Sequence, residues 1–213
     1  MHRVIAGIHR YLNDIAPRRQ AMFGELAKGQ HPPLLLITCS DSRIAPELFI
    51  QSDPGLLFVI RNAGNIVPPY ADGPCGESAT IEYAVRQLKI THIAVCGHTG
   101  CGAMQGVLNR PAVRDLPLVD GWLHHAEASL AAAQARQPGA TVDVDDLARA
   151  NVMVQADRLL GYPFIAEAVD AGELFIHRWL FQIADGQLWR HDQRQGEFVR
   201  FEDSGGPIDE ASA

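Results

Sequence analysis

Three short, unbroken apolar runs punctuate the first half of the chain. They are Pro33 to Cys39 (PLLLITC), Gly55 to Asn62 (GLLFVIRN) and Ile90 to Gly97 (ITHIAVCG). Runs of this length without polar alternation predict strands buried on both faces, as in a parallel sheet. Between the second and third, Glu77 to Leu88 carries Ile81, Tyr83, Ala84, Val85 and Leu88 at helical spacing. Strand, helix, strand implies a right-handed crossover. Before the first strand, Val4, Ile5, Ile8, Leu12 and Ile15 form an apolar stripe on a helix that Pro17 ends or kinks. A second piece from Arg18 to Lys28 stops at Gly29. That arm has no strand of its own to cover, so its stripe packs on its own core or lies across a neighbouring subunit.

The second half is patterned differently. A short helix from Ala103 to Leu108 gives way to Pro111 and Pro117. An Ala-rich helix is predicted from about Leu118 to Ala135, broken by Pro138-Gly139, and another from Val142 to Leu160. Leu174 to Ile183 is β-rich, and after the turn Ala184-Asp185-Gly186-Gln187 the stretch Leu188 to His191 returns as a hairpin. From Glu202 the chain is polar and rich in turn residues, which predicts a loose tail. The fold class is α/β.

Charge narrows the function. Eighteen Lys plus Arg against 25 Asp plus Glu leave a net charge of −7 across 213 residues. No basic stripe is available to displace counterions from nucleic-acid phosphates. No apolar run approaches the roughly 20 residues of a membrane span, and Met1 to Ala21 mixes charged and polar residues, unlike a signal peptide. Four cysteines are too few for a disulfide scaffold, so the expected compartment is the reducing cytoplasm, where cysteine implies metal binding or catalysis.

Two of those cysteines stand just beyond predicted strands, in chemical company. The first strand runs into Cys39-Ser40-Asp41-Ser42-Arg43 and the third into Gly97-His98-Thr99-Gly100-Cys101-Gly102. In an open α/β sheet, ligands bind past the carboxyl ends of the strands at a switch in strand order. Cys39 and Asp41 are two residues apart and project to one side of extended backbone. His98 and Cys101 are three apart, so a turn entering a helix brings them together. Two thiolates and an imidazole suit Zn²⁺, with a fourth place for a carboxylate or water. Arg43 is placed to form a bidentate pair with Asp41, which decides whether that carboxylate sits on the metal. The plainer alternative is that Cys39 and Cys101 are small buried residues and His98 a helix-start histidine. A purely structural zinc site and a cysteine-nucleophile enzyme are further alternatives. The first needs no Asp41–Arg43 pair, and the second needs a lone thiol with a base.

Cys39-Ser40-Asp41-Ser42-Arg43, Arg61-Asn62-Ala63-Gly64-Asn65 and Cys96-Gly97-His98-Thr99-Gly100-Cys101-Gly102, in this order and at these separations, together resemble the β-class carbonic anhydrases. The resemblance covers roughly residues 20–200. It implies reversible hydration of CO₂ to bicarbonate and a proton, with zinc-bound hydroxide as the attacking group and one Zn²⁺ per chain. It also implies four parallel strands plus an antiparallel edge strand, flanked by helices, in an obligate homodimer or dimer of dimers. Residues 1–28 would be the arm that contacts a neighbour, 29–201 the catalytic domain and 202–213 the tail. Carried over by position, the metal ligands fall on Cys39, His98 and Cys101. Asp41 either ligates the metal or, paired to Arg43, leaves room for water and orients the hydroxide. Gln30 matches a glutamine that reaches the neighbouring subunit's site, and Phe58, Ala63, Gly64, Tyr83 and Gly102 fall on or near the substrate pocket.

One subfamily holds a non-catalytic bicarbonate site made of Trp, Arg and Tyr. The matching positions here are Leu36, Arg61 and Phe181, so two of the three depart. Gly64-Asn65-Ile66-Val67-Pro68-Pro69-Tyr70 instead resembles the plant-like subfamily with an accessible metal. Two thiolates lend the metal charge, which predicts activity rising through mildly alkaline pH. Hydrolysis of a CO₂-like molecule such as carbon disulfide or carbonyl sulfide is an alternative for the same residues.

Overall fold

The computed structural model describes residues 1–201; the tail expected from Glu202 lies outside them. Two compact units are present, Met1–His31 and a larger one beginning at Pro32. The first holds helices α1 (His2–Arg10) and α2 (Gln20–Leu26), joined by a π-turn over Tyr11–Ile15 and a 3₁₀ turn over Pro17–Arg19. Regular α-helix ends at Arg10, and Pro17 opens the 3₁₀ turn that leads into α2. Proline is tolerated at the first position of a new turn, and there it resets the helix to 3₁₀ geometry. Val4, Ile5, Ile8, Leu12 and Ile15 are all at least 44% exposed.

The larger unit is built on a six-stranded sheet in the order β2-β1-β3-β4-β5-β6. The strands are β1 (Leu34–Cys39), β2 (Leu57–Asn62), β3 (His92–His98), β4 (Phe175–Gln182), β5 (Gln187–Asp192) and β6 (Glu197–Arg200). Strands β2, β1, β3 and β4 are parallel, and β5 and β6 are antiparallel. The three apolar runs are the three adjacent strands at one side of this sheet. Leu35, Leu36 and Ile37 of β1 are at most 1% exposed, as a strand covered on both faces requires. Two antiparallel strands are found where the sequence suggested one. Glu197–Arg200 is too short to show an alternating pattern and takes its place from pairing with β5.

Helices α3 (Pro46–Ile50), α4 (Gly76–Glu82) and α5 to α9 connect the parallel strands. The last five are Gly102–Leu108, Pro117–Leu123, Glu127–Arg136, Val144–Leu159 and Pro163–Asp170. The expected helix from Leu118 to Ala135 is thus two helices, α6 and α7, parted by a 3₁₀ turn at His124–Ala126. On one sheet face, Ile37, Ile60, Ile93, Val95 and Ile176 pack with Ala156, Leu159 and Ile165 of α8 and α9. Opposite, Leu36, Ala94, Cys96 and Trp179 meet Phe49 and Ile50 of α3.

Helix α8 is fixed at its start by Asp143, whose Oδ1 accepts from the amides of Asp145 (2.8 Å) and Asp146 (2.7 Å). Its middle carries two buried polar residues. Asn151 donates to the Gly64 carbonyl (2.8 Å), and Gln155 accepts from the Val67 amide (2.9 Å). Ser129 of α7 donates to Asn151 Oδ1 (2.9 Å). This network fastens the loop after β2 to the helix layer. Without it, those buried backbone groups would lack partners.

Candidate metal centre

From β1 the chain moves outward to β2, then crosses back to β3 on the other side of β1. The order therefore reverses between β1 and β3, which makes their carboxyl ends the place for a ligand. Cys39 is the last residue of β1 and His98 the last of β3, and Cys101 precedes the first residue of α5. Gly100, at φ +61°, turns the backbone between His98 and Cys101.

One nitrogen of His98 and the Sγ atoms of Cys39 and Cys101 lie within 4.8 Å of one another, and all three residues are buried. Among the described residues this is the one such cluster of His, Cys, Asp and Glu. His98 Nδ1 is 2.9 Å from the Thr99 carbonyl oxygen, which can only accept, so Nδ1 carries the hydrogen. Nε2 is buried and makes no hydrogen bond among the described residues. An imidazole oriented by a backbone carbonyl, with its other nitrogen bare among two sulfurs, is the donor arrangement a zinc-type cation accepts. The residues fit such an ion.

The protonation of the three donors points the same way. A hydrogen bond from the Cys101 thiol holds the Cys39 thiol down to about 4, helped by His98 and by the amide of Gly64 against the effect of burial. The same bond, with burial, pushes Cys101 up. Cys39 is thus the sulfur biased towards thiolate, the form in which a thiol binds a cation. Burial works against charge on His98, but Cys39, the Thr99 carbonyl and the charge of Asp41 outweigh it and raise its pKa.

Asp41 stands at the edge of the cluster, with Oδ2 3.9 Å from His98 Nε2. Its carboxylate is held by Arg43: Nε donates to Oδ1 at 2.9 Å and Nη2 to Oδ2 at 2.7 Å. This fork and the Arg43 amide on Oδ1 (2.9 Å) keep the carboxyl well below the usual carboxylate range. Arg43 Nη2 also donates to the Gly100 carbonyl (3.1 Å), tying the first motif to the third.

Two further residues shape the site through contacts that the sequence does not show. Arg61 of β2 donates to the carbonyls of Cys39 (3.0 Å), Asp41 (2.8 Å) and Ile44 (3.0 Å). The guanidinium that the resemblance set beside a bicarbonate position therefore clamps the loop beyond β1. Asp145, in the first turn of α8, accepts from the Gly100 amide at 2.7 Å. These contacts join residues 17 to 45 positions apart, which no spacing rule reaches.

The expected pocket residues divide. Gly64 donates its amide to Cys39 Sγ (3.4 Å), Ala63 precedes it, and Gly102 opens α5 beside Cys101. Phe58 pairs with Leu35, four residues back from the Cys39–Asn62 register that marks the site end of the sheet. Its ring lies 6.2 Å from that of Tyr83, which is 47% exposed. Gln30 belongs to the N-terminal unit. Of the other cysteines, Cys96 is buried in the β3 core and pushed up to about 12 by burial. Cys75 caps α4, its sulfur accepting from the Ser78 amide.

A family model described as carbonic anhydrase matches residues 34–188. The chain is 44% identical over 200 residues to a carbonic anhydrase of Pseudomonas aeruginosa, covering 93% of this chain and 91% of that protein. It is 42% identical over 191 residues to a carbonic anhydrase of Synechococcus elongatus, covering 88% and 70%. Among solved structures, the β-carbonic anhydrase CcaA aligns with a TM-score of 0.89 at 38% identity, over 94% of this chain and 98% of that one. A tetrameric β-carbonic anhydrase of Sordaria macrospora aligns at 0.76 and 32%, over 89% and 95%.

Proposed function

This chain belongs to the β-class carbonic anhydrases, and we propose that it hydrates CO₂ reversibly with one Zn²⁺ held by Cys39, His98 and Cys101. The observation that carries the reading is the buried Cys-His-Cys cluster with its unpartnered His98 Nε2. When bound, the zinc supplies a Lewis acid that brings the pKa of water from about 15.7 towards 7.

The chain's own residues do the rest. Thr99 fixes the His98 tautomer through Nδ1. Arg43 keeps Asp41 ionised, so Asp41 can only accept a hydrogen bond. In that state it would accept a hydrogen bond from the attacking oxygen at Oδ2, keeping its own protonation unchanged, and so aim that oxygen's lone pair at carbon. Bound to Arg43 in this way, Asp41 would be kept off the metal and leave room for water. The carbonyls of Cys39 and Asp41, gripped by Arg61, hold these groups at a fixed separation. Ala63, Gly64 and Gly102 line the approach. Phe58 and Tyr83 are proposed to line the apolar substrate pocket and Gln30 to reach the site of a neighbouring copy, with residues 1–28 as the contact arm of a dimer or dimer of dimers. All four cysteines are free, as a reducing cytoplasm would keep them.

Zinc per chain and stopped-flow CO₂ hydration test the assignment together, on wild type and Cys101→Ala. The wild type should hold about one zinc per chain, as a single closed set of donors dictates. The variant should lose both metal and hydration. Retained zinc in the variant overturns the ligand set, and a wild type without hydration overturns the reaction.

A further inference from the structure

Cys39 Sγ takes a hydrogen bond from the Gly64 amide at 3.4 Å. That N–H belongs to the peptide linking Ala63 and Gly64. The carbonyl of the same peptide accepts from the indole Nε1 of Trp122 at 2.8 Å. In a trans peptide the C=O and N–H point in opposite directions. Trp122 and Cys39 thus lie on opposite sides of one peptide group and communicate through it. Donation into a peptide carbonyl polarises its N–H and strengthens the bond that N–H makes.

Other contacts hold this peptide still. Asn151 donates to the next carbonyl, that of Gly64 (2.8 Å). Gly64 has φ +84°, and a Cβ there would come within 3.0 Å of Ala103 Cβ and 3.1 Å of Met104 Cε. The indole is braced edge-on by His125, with centroids 5.4 Å apart, and His125 Nδ1 lies 3.6 Å from Asp72 Oδ2.

We propose that Trp122 is a positioning residue that sets the electron density on the Cys39 sulfur through the Ala63–Gly64 peptide. Hydrogen bonds to ligating sulfur draw charge away from it and away from the metal it binds. Trp122 thereby offsets part of the charge that two thiolates lend the metal and moves the working pH range downward. The inference rests on Cys39 being a metal ligand, as proposed above.

Trp122→Phe keeps an aromatic ring and removes the N–H, and Trp189→Phe is its control, because Trp189 Nε1 has no hydrogen-bond partner among the described residues. Cobalt(II) replaces zinc, and its sulfur-to-metal charge-transfer band is recorded for wild type and both variants. In Trp122→Phe the band should move to longer wavelength, because a more electron-rich sulfur gives up charge more readily. With zinc, kcat/KM at neutral pH should fall roughly tenfold, the lower end of what outer-shell partners contribute, and recover as the pH is raised. Trp189→Phe should match the wild type in both measurements. A Trp122→Phe band and pH profile that coincide with the wild type overturn the inference and leave the ligand assignment standing. A wild type that shows no sulfur-to-cobalt band overturns the ligand assignment itself.

Discussion

Arg43 holds Asp41 by two parallel hydrogen bonds, Nε to Oδ1 and Nη2 to Oδ2, while the same Nη2 reaches the carbonyl of Gly100. Only a planar guanidinium makes that set of contacts. The pair is partly open to water, with the Arg43 side chain 52% exposed, so its value lies in aim more than in stability. Arg43→Lys should therefore keep the metal and lower kcat/KM by about 100-fold, the scale of a misplacement near 1 Å. Wild-type kinetics in Arg43→Lys would show that Asp41 needs no fork.

The arm makes a second expectation. Val4, Ile5, Ile8, Leu12 and Ile15 present an apolar stripe to solvent within one chain. Such a stripe is stable in water only when covered. Removal of residues 1–28 should lower the assembly mass, measured by light scattering, by at least one chain. An unchanged number of chains per particle would separate the arm from assembly.

His92 and His177 form an adjacent pair across β3 and β4, with Nδ1 of one 3.0 Å from Nε2 of the other. Burial, then the charges of His92 and Arg178, bring His177 from 6.5 down to about 4. Between those values the unfolded chain binds the proton and the folded chain does not. Stability is therefore full above about pH 6.5 and declines as the pH falls towards 4. His177→Gln should flatten this part of a melting-temperature profile. Parallel profiles for the two proteins would place the acid sensitivity elsewhere.

Gly97 precedes His98 under helix α8, and a Cβ there would lie 2.6 Å from Val152 Cγ2. Overpacking of this kind costs about 1–3 kcal/mol, or roughly 2–4 °C of melting temperature per kcal/mol in a chain of this size. Gly97→Ala should melt lower. Gly97→Ala with Val152→Ala should melt higher than the sum of the two single effects. Strict additivity would mean the two atoms do not meet.

The parts of this architecture legible in sequence are those written locally. Leu34 to Cys39 reads as a buried strand because no polar residue interrupts it, and His98 and Cys101 read as partners because three residues span one turn. Arg61 on three carbonyls, Asp145 on the Gly100 amide and Trp122 on Ala63 depend on segments that meet only in the folded chain. Their side chains look like ordinary arginine, aspartate and tryptophan until the sheet order is known. Helix α9 begins with proline at its first position, a start signal that was available in the sequence. The break between α6 and α7 had no such mark, since neither proline nor glycine stands at His124–Ala126.

The donors come from two stretches of chain that meet only when β3 has crossed over and docked beside β1. A chain emerging from the ribosome with residues up to 97 has Cys39 but neither His98 nor Cys101. The seat is therefore complete only once β1 and β3 lie side by side. A cation held by both stretches would act as a staple across the β1–β3 seam, and a chain starved of metal should open there first.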